Sequence, residues 1–375
     1  MIKREIEKEL KALLYKKKAI VVFGARQVGK TTLLETVFSG ERGVLWLNGD
    51  EAATKAIFSD SVSKDSLEPY VKGNKVLIID EAQRINNIGL KLKILQDAYK
   101  DEIQIIATGS SSFDLADKVN EPLTGRKWEF RMFPLKFSEM AAHHGLLKEQ
   151  NSLSTRLRYG YYPDVVSNPG SEKLILTNLV NDNMYKDVYK FEDIRKPEAF
   201  ENLVRALAFQ IGCEVNMTEL SGLLGLDQQT IKKYIRLLEQ SFLIFKLSPY
   251  STNLRNEIKA NSKYYFYDVG IRNALIGAFD EIEYRTDIGH LFENFVIAEL
   301  AKALMSESVG SFGYFWRAKS GSEIDFVKPS GYSISAYEIK WNPKAKFKIP
   351  KAFSDKYNID KTQMIHRENY WELLL

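Results

Sequence analysis

GARQVGKTT, Gly24 to Thr32, fits the phosphate-binding pattern G-x-x-x-x-G-K-(S/T). It stands between a short apolar strand, Ala19–Phe23, and a helix start over Thr31–Phe38. Glycines at both ends let the backbone curl, so that the N–H groups of Gly24, Ala25, Arg26, Gln27, Val28 and Gly29 face a polyphosphate at a helix N-terminus. Lys30 is expected to reach the β- and γ-phosphates, the Thr31 hydroxyl to hold Mg²⁺, and Thr32 to complete the loop. The simpler alternative, a glycine turn between strand and helix, loses weight once a second motif is read.

That motif is VLIIDEAQ, Val76 to Gln83. Four apolar residues form the short run of a strand buried on both faces of a parallel sheet, and the run ends in two acids. Asp80 is read as the metal residue and Glu81 as the general base for water. A strand ending in two acids is common. About fifty residues after a phosphate loop it becomes specific. A further strand, Ile103–Ala107, ends in Thr108-Gly109-Ser110-Ser111, where Thr108 or Ser110 can sense a γ-phosphate; a plain strand-to-loop turn is the alternative.

The chain has 375 residues, enough for two or three domains with their own cores. Apolar residues make up 45% and charged residues 27%, an ordinary globular balance. No apolar run reaches the length that spans a bilayer, and MIKREIEKEL lacks the apolar core of a signal peptide, so a cytoplasmic protein without membrane contact is expected. The single cysteine, Cys213, excludes an internal disulfide and a thiolate metal site; its apolar neighbours suggest a core position. His143, His144, His290 and His366 lack metal-ligand spacing, so no zinc is expected. A net charge of +4 is too small to prove a nucleic-acid partner. Its distribution is more telling: Lys340 to Lys356 holds six lysines against one acid, Asp355. Such a run is a solvated face or a polyanion contact.

Residues 1–18 read as an amphipathic basic helix. Strands at Ala19–Phe23, Val44–Leu47, Val76–Ile79, Ile103–Ala107 and Trp128–Phe133 then alternate with helices, which predicts an α/β ATPase domain with a parallel sheet over 1–145. Arg126, in Leu123-Thr124-Gly125-Arg126, can stabilise a transferring phosphoryl group in this subunit or across an interface; a surface arginine paired with a carboxylate is the alternative. Residues 146–200 read as a helical lid or connector, turning at Gly160-Tyr161-Tyr162-Pro163-Asp164.

Residues 201–254 carry the outline of a winged helix-turn-helix. Val215–Leu220 holds a capped helix, Gly225 a turn, and Asp227 caps a helix over Gln228–Gln240, followed by a strand at Phe242–Leu247. In the second helix Ile231, Tyr234, Ile235 and Leu238 face inward and Gln228, Gln229, Lys232, Lys233 and Arg236 outward. Gln229 and Lys233 would then reach a major groove, unless the module serves only for packing.

From 255 to 375 the pattern is mixed α and β, with strands at Lys263–Asp268, Tyr314–Arg317, Glu323–Val327 and Ala336–Trp341 and a helix at Asp287–Lys302. Glu338 and Lys340 are two apart on one strand, so their side chains leave the same face. With Asp325 from the hairpin and Glu293 from the helix they form a set suited to Mg²⁺-dependent phosphodiester hydrolysis. The three carboxylates would hold metal and Lys340 would orient the nucleophile or stabilise charge. An E-x-K element carries nothing alone, since Glu257-Ile258-Lys259 also spells it.

With these residues assembled, nearly the whole chain resembles a prokaryotic AAA+ ATPase family that joins an N-terminal P-loop ATPase to a C-terminal domain of unknown function similar to PD-(D/E)xK nucleases. GARQVGKTTLL, LIIDEAQ, ATGSSS, LTGR followed by FPLKFSEM, YGYYPDVV, YFYDVGIRNAL, GHLFENFV, GSEIDFV and YEIKW carry the resemblance. It implies an ATP site at Lys30, Thr31, Asp80 and Glu81 and nuclease-like positions at Glu293, Asp325, Glu338 and Lys340. The resulting expectation is an ATP- and Mg²⁺-dependent ATPase that acts on DNA and gates a restriction-endonuclease-like domain. The alternative is a nucleotide switch whose C-terminal domain binds a partner without cleavage. A finger donated by a neighbour would require a homo-oligomer.

Overall fold

The computed structural model describes residues 1–58, 63–110, 123–184, 194, 196–251, 260–307 and 313–375. Ser111 and Glu257–Lys259 lie outside the described residues. The chain forms two compact units, residues 1–134 with 240–242, and residues 135–239 with 243–375.

The first unit runs α1 (Ile6–Leu13), β1 (Ala19–Gly24), α2 (Lys30–Val37), β2 (Val44–Asn48), α3 (Ala52–Ile57), α4 (Lys64–Val71), β3 (Val76–Asp80), α5 (Ile88–Tyr99), β4 (Gln104–Gly109) and β5 (Lys127–Met132). The strands pair in parallel in the order β2-β3-β4-β1-β5. Every residue of β1, β3 and β4 is buried, as a parallel sheet covered on both faces requires. Because β4 lies between β1 and β3, the ends of the loop strand, the acid strand and the Thr108 strand open side by side on one edge. Gly24 closes β1 where nothing larger fits, since a Cβ there would strike the Met132 carbonyl.

In the second unit α6 (Phe137–His144), α7 (Leu146–Asn151), α8 (Leu153–Tyr159), α9 (Pro163–Ser167) and α10 (Glu172–Asn178) precede α11 (Pro197–Phe209). Then come β6 (Glu214–Val215), α12 (Met217–Leu224), α13 (Gln228–Gln240), β7 (Ile244–Pro249) and β8 (Ser262–Phe266). The remainder is α14 (Val269–Ile276), α15 (Ile288–Glu307), β9 (Tyr314–Arg317), β10 (Glu323–Ser330), β11 (Ser333–Ile339), α16 (Lys351–Ser354), β12 (Ile359–Ile365) and α17 (Trp371–Leu374). One seven-stranded sheet, β12-β11-β10-β9-β7-β8-β6, runs through it.

Two boundaries expected from sequence shift, and one segment expected as a lid or connector packs into the second unit. Residues 135–145 belong to the second unit: the Leu135 N–H donates to the Tyr161 carbonyl (2.9 Å) and the Phe137 N–H to Glu299 (2.8 Å). The described residues of 146–200, expected as a helical lid or connector, pack into that unit. Asp268 accepts from the Tyr161 N–H (2.6 Å) and caps α14 through the Ile271 N–H (3.1 Å). Asn273 donates to the Leu157 and Arg158 carbonyls, each at 2.9 Å. The division at 254–255 falls inside the sheet, because β8 pairs antiparallel with both β7 and β6 while β7 pairs parallel with β9.

Between α11 and β8 the local reading is realised. Asn216 caps α12 by accepting from Thr218 N–H (2.9 Å), Gly225 takes the left-handed φ of 60°, and Asp227 accepts from Thr230 N–H (2.9 Å). Ile231, Tyr234, Ile235 and Leu238 are buried, and Gln228, Gln229, Lys232, Lys233 and Arg236 are exposed. Cys213 is exposed, not in the core, because its N–H closes a turn on the Gln210 carbonyl (3.0 Å) just after α11.

Candidate active site

The loop between β1 and α2 has the backbone that phosphate binding needs. Gly29 sits at φ 94° and Gln27 at φ 59°, left-handed conformations that turn the chain into the N-terminus of α2. Lys30 is buried, and its ammonium donates to the Gly24 and Ala25 carbonyls, both at 2.8 Å. The ammonium is thus held over the mouth of the loop. Arg4, which sequence reading passed over, braces the loop by donating to the Val28 carbonyl at 2.7 Å and to the Phe133 carbonyl at 2.7 Å. Its signal is only one arginine in an amphipathic N-terminus.

The acid pair meets the loop directly. Thr31 Oγ1 donates to Asp80 Oδ2 at 2.7 Å, so hydroxyl and carboxylate are close enough to share one divalent ion. Thr108, fully buried, donates to Asp80 Oδ1 and accepts the Glu81 N–H at 3.2 Å, so it positions the acid pair. Glu81 adopts φ 49°, a left-handed conformation uncommon for a residue with a side chain. Gln83, unassigned from sequence, joins the remaining candidates: its amide donates to Glu81 Oε2 (2.6 Å) and to Ser110 Oγ (2.9 Å). Glu81 and Ser110 are therefore linked through one side chain.

Arg126 is corrected for action within the subunit. It precedes β5, which runs parallel to β1 in the register Ala19 with Lys127, and its carbonyl accepts the Ala19 N–H (2.9 Å). That is the N-terminal edge of the sheet. The loop leaves from the opposite edge, roughly 18 Å away along a six-residue strand. The Arg126 guanidinium pairs instead with Asp97 (2.8 Å) on the surface.

In the second unit Glu293, Asp325, Glu338 and Lys340 do converge, with partners the sequence did not reveal. Lys340 Nζ lies 2.6 Å from Glu338 and 3.3 Å from Asp325, and the Ile339 N–H donates to Asp325 at 2.7 Å. Glu293 pairs with the buried Lys263 (3.3 Å) and accepts from the Tyr265 hydroxyl (2.6 Å), while Lys263 also pairs with Glu323. Burial, then the neighbouring Glu293 and Glu338 carboxylates, push the Asp325 carboxyl up to about 7. Burial likewise raises Glu338. Burial opposes ionisation of Glu293, but Lys263, His290 and Tyr265 hold it below its ordinary value.

The expected three-carboxylate metal centre is not assembled. Among the described residues no group of three or more His, Cys, Asp or Glu side chains is placed to hold a metal ion. The reason is visible in the pairing: Lys340 bridges Asp325 and Glu338, and Lys263 engages Glu293 and Glu323.

The AAA domain family matches residues 16–141, across the loop and the acid strand. A solved Walker-type ATPase of Pyrococcus abyssi shares the fold at 14% identity and TM-score 0.52, over 74% of this chain and 96% of that one. The first unit holds a P-loop, AAA-like ATPase domain. Residues 150–282 and 288–370 match two domains of unknown function, DUF8612 and DUF4143. An uncharacterised protein of Haemophilus influenzae is 24% identical over 95% of this chain and 88% of its own length. One of Mycobacterium tuberculosis is 24% identical over 90% and 74%. Among the described residues no helix is long and apolar enough to cross a membrane.

Proposed function

We propose that the protein binds ATP at Gly24–Thr32, hydrolyses it, and uses the nucleotide state to control how the second unit engages DNA. One observation carries the hydrolytic part: the Thr31–Asp80 hydrogen bond of 2.7 Å beside the buried Lys30. In this reading Lys30 exchanges the Gly24 and Ala25 carbonyls for the β- and γ-phosphate oxygens. The loop N–H groups and the N-terminus of α2 bind the same oxygens. Thr31 and Asp80 hold Mg²⁺, which supplies charge neutralisation on the phosphates. Glu81 takes the proton of the attacking water, while Gln83 fixes its carboxylate and links it to Ser110. If Arg126 serves as an arginine finger, it does so in a neighbouring subunit, since in its own subunit it lies at the opposite edge of the sheet from the loop.

DNA engagement is supported by the helix–strand–helix–helix–strand–strand order of 197–266, the outline of a winged helix, with the basic face of α13 exposed. For the C-terminal domain the reading taken is binding without cleavage, because among the described residues no three His, Cys, Asp or Glu side chains are grouped to hold a metal ion. The test is Mg²⁺-dependent ATP turnover beside Mg²⁺- or Mn²⁺-dependent cleavage of duplex, single-stranded and branched DNA. Turnover lost in Lys30→Ala, with every DNA intact, is expected. Turnover that survives Lys30→Ala sinks the assigned ATP site. Cleavage lost in Asp325→Ala would restore the nuclease reading.

A further inference from the structure

The lysine run after β11 has a geometry that the ATP site does not use. From residue 342 to 348 exposure alternates residue by residue: Asn342, Lys344, Lys346 and Lys348 are exposed, while Pro343, Ala345 and Phe347 are half-buried. Asn342–Ala345 form a turn, in which the Ala345 N–H donates to the Asn342 carbonyl (3.1 Å) and the Lys344 N–H to Asn342 Oδ1 (3.0 Å). Beyond it the alternation is the period of two of extended chain, which puts Lys346 and Lys348 on one side. Ile349 packs against the cluster of Trp316, Ile324, Val327, Ile334, Ala336, Phe353 and Tyr357, so the apolar anchors of the segment point inward. Lys351 and Lys356, on and just after α16, are exposed as well. Five lysines are thus presented outward by a segment fastened to a core.

Among the described residues Lys344, Lys346, Lys348, Lys351 and Lys356 form no ion pair, although Lys356 lies over the Tyr357 ring at 5.1 Å. The only acid within the run is Asp355. A merely solvated face tends to interleave both signs; a surplus of one sign held at regular spacing attracts a polyanion. Beyond the turn, extended chain separates Lys346 from Lys348 by about 7 Å, a spacing similar to that of successive phosphates along a nucleic-acid strand. A membrane surface fits less well, because bilayer binding needs apolar side chains projecting with the lysines, and here Ile349 turns into the core.

We propose that Lys344, Lys346, Lys348, Lys351 and Lys356 form a track for the sugar-phosphate backbone of a nucleic acid. The track starts four residues beyond Lys340, so its near end adjoins the Asp325–Glu338–Lys340 cluster. It rests on the reading that the second unit engages nucleic acid, and names a surface for it other than α13. Backbone contacts of this kind carry affinity rather than sequence preference.

The test is fluorescence anisotropy on the full chain with labelled duplex DNA, single-stranded DNA and RNA of matched length, titrated at several salt concentrations. Replacing Lys344, Lys346, Lys348 and Lys351 together by Ala should remove four phosphate contacts. The slope of log affinity against log salt should then flatten by about 3, with binding at least about tenfold weaker in moderate salt. The same four positions changed to Arg should keep the wild-type slope. The four-alanine variant should melt within about 2 °C of wild type, since exposed substitutions scarcely alter stability. An unchanged slope in that variant, with loss on replacing Lys232, Lys233 and Arg236 by Ala, overturns the track while leaving nucleic-acid engagement intact. No salt-dependent binding of wild type to any of the three nucleic acids overturns both. Binding to phosphatidylserine vesicles in their place would make the lysines a membrane contact and also overturn the track.

Discussion

At the residue scale, Glu81 and Asp325 are two carboxylates held for opposite ends. Glu81 sits at the open edge of the sheet, oriented by a backbone conformation that side chains seldom adopt and by a 2.6 Å hydrogen bond from Gln83. Glu81→Gln should therefore keep ATP binding and slow turnover by about 10²–10⁴-fold, the range a general base contributes. A fluorescent-nucleotide titration beside steady-state turnover checks this, and equal turnover removes Glu81 from the role. Asp325 is buried among acids, and its carboxyl stands at about 7 against an ordinary 3.8. A folded pKa above the unfolded one means that its stabilisation is complete below about pH 4 and lost as pH rises through about 7. Asp325→Asn keeps an acceptor for the Ile339 N–H and removes the charge. It should raise the melting temperature relative to wild type more at pH 8 than at pH 5, by about 2–4 °C for each kcal/mol recovered. The same difference at both pH values would show that this carboxyl does not titrate there. Asp325, Glu338 and Lys340 were readable because a hairpin and one strand bring them together. Lys263 was not: in KYYFYD it is one lysine at a strand start, and only the β7–β8–β6 pairing turns it towards Glu293.

At the element scale, the turn after α8 joins segments about a hundred residues apart. Gly160 has φ 70°, and a Cβ there would strike the Asp268 carboxylate that accepts the Tyr161 N–H and caps α14. Gly160→Ala should thus combine backbone strain with displacement of a buried carboxylate, costing about 2–4 kcal/mol. In a melt of the full chain this should appear as a drop of several degrees. A melting temperature within 1 °C or so of wild type would mean that the Asp268 contact contributes little. The YGYYPD and YDVG motifs were each visible in sequence as a turn and a strand end. That one exists to seat the other was not, since neither periodicity nor turn chemistry names a distant partner.

At the scale of the whole molecule, an AAA-like unit with a phosphate-binding loop and a unit bearing basic surfaces share one chain. If nucleotide state controls DNA engagement, affinity for DNA must differ between ATP- and ADP-bound protein. A fivefold difference corresponds to about 1 kcal/mol of coupling. Glu81→Gln, which should retain ATP unhydrolysed, lets both states be titrated by anisotropy, with Lys30→Ala as the nucleotide-blind control. Equal affinity in ATP and ADP removes the coupling and leaves two independent activities.

The amino-acid sequence by itself determined the phosphate loop, the acid strand, the caps of α12 and α13 and the lysine run. Each is encoded by neighbours along the chain: glycines that permit a turn, a period of two or 3.6, a capping side chain, a surplus of one charge. Tertiary structure decided what those elements face. Strand order placed Thr108 against Asp80 and sent Arg126 to the opposite edge of the sheet. Strand pairing between segments far apart erased the boundary at 254–255 and delivered Lys263 to the carboxylates expected to hold metal. Local patterns specify which backbone a segment adopts; the direction and partner of a strand depend on contacts between distant residues, which no local pattern records.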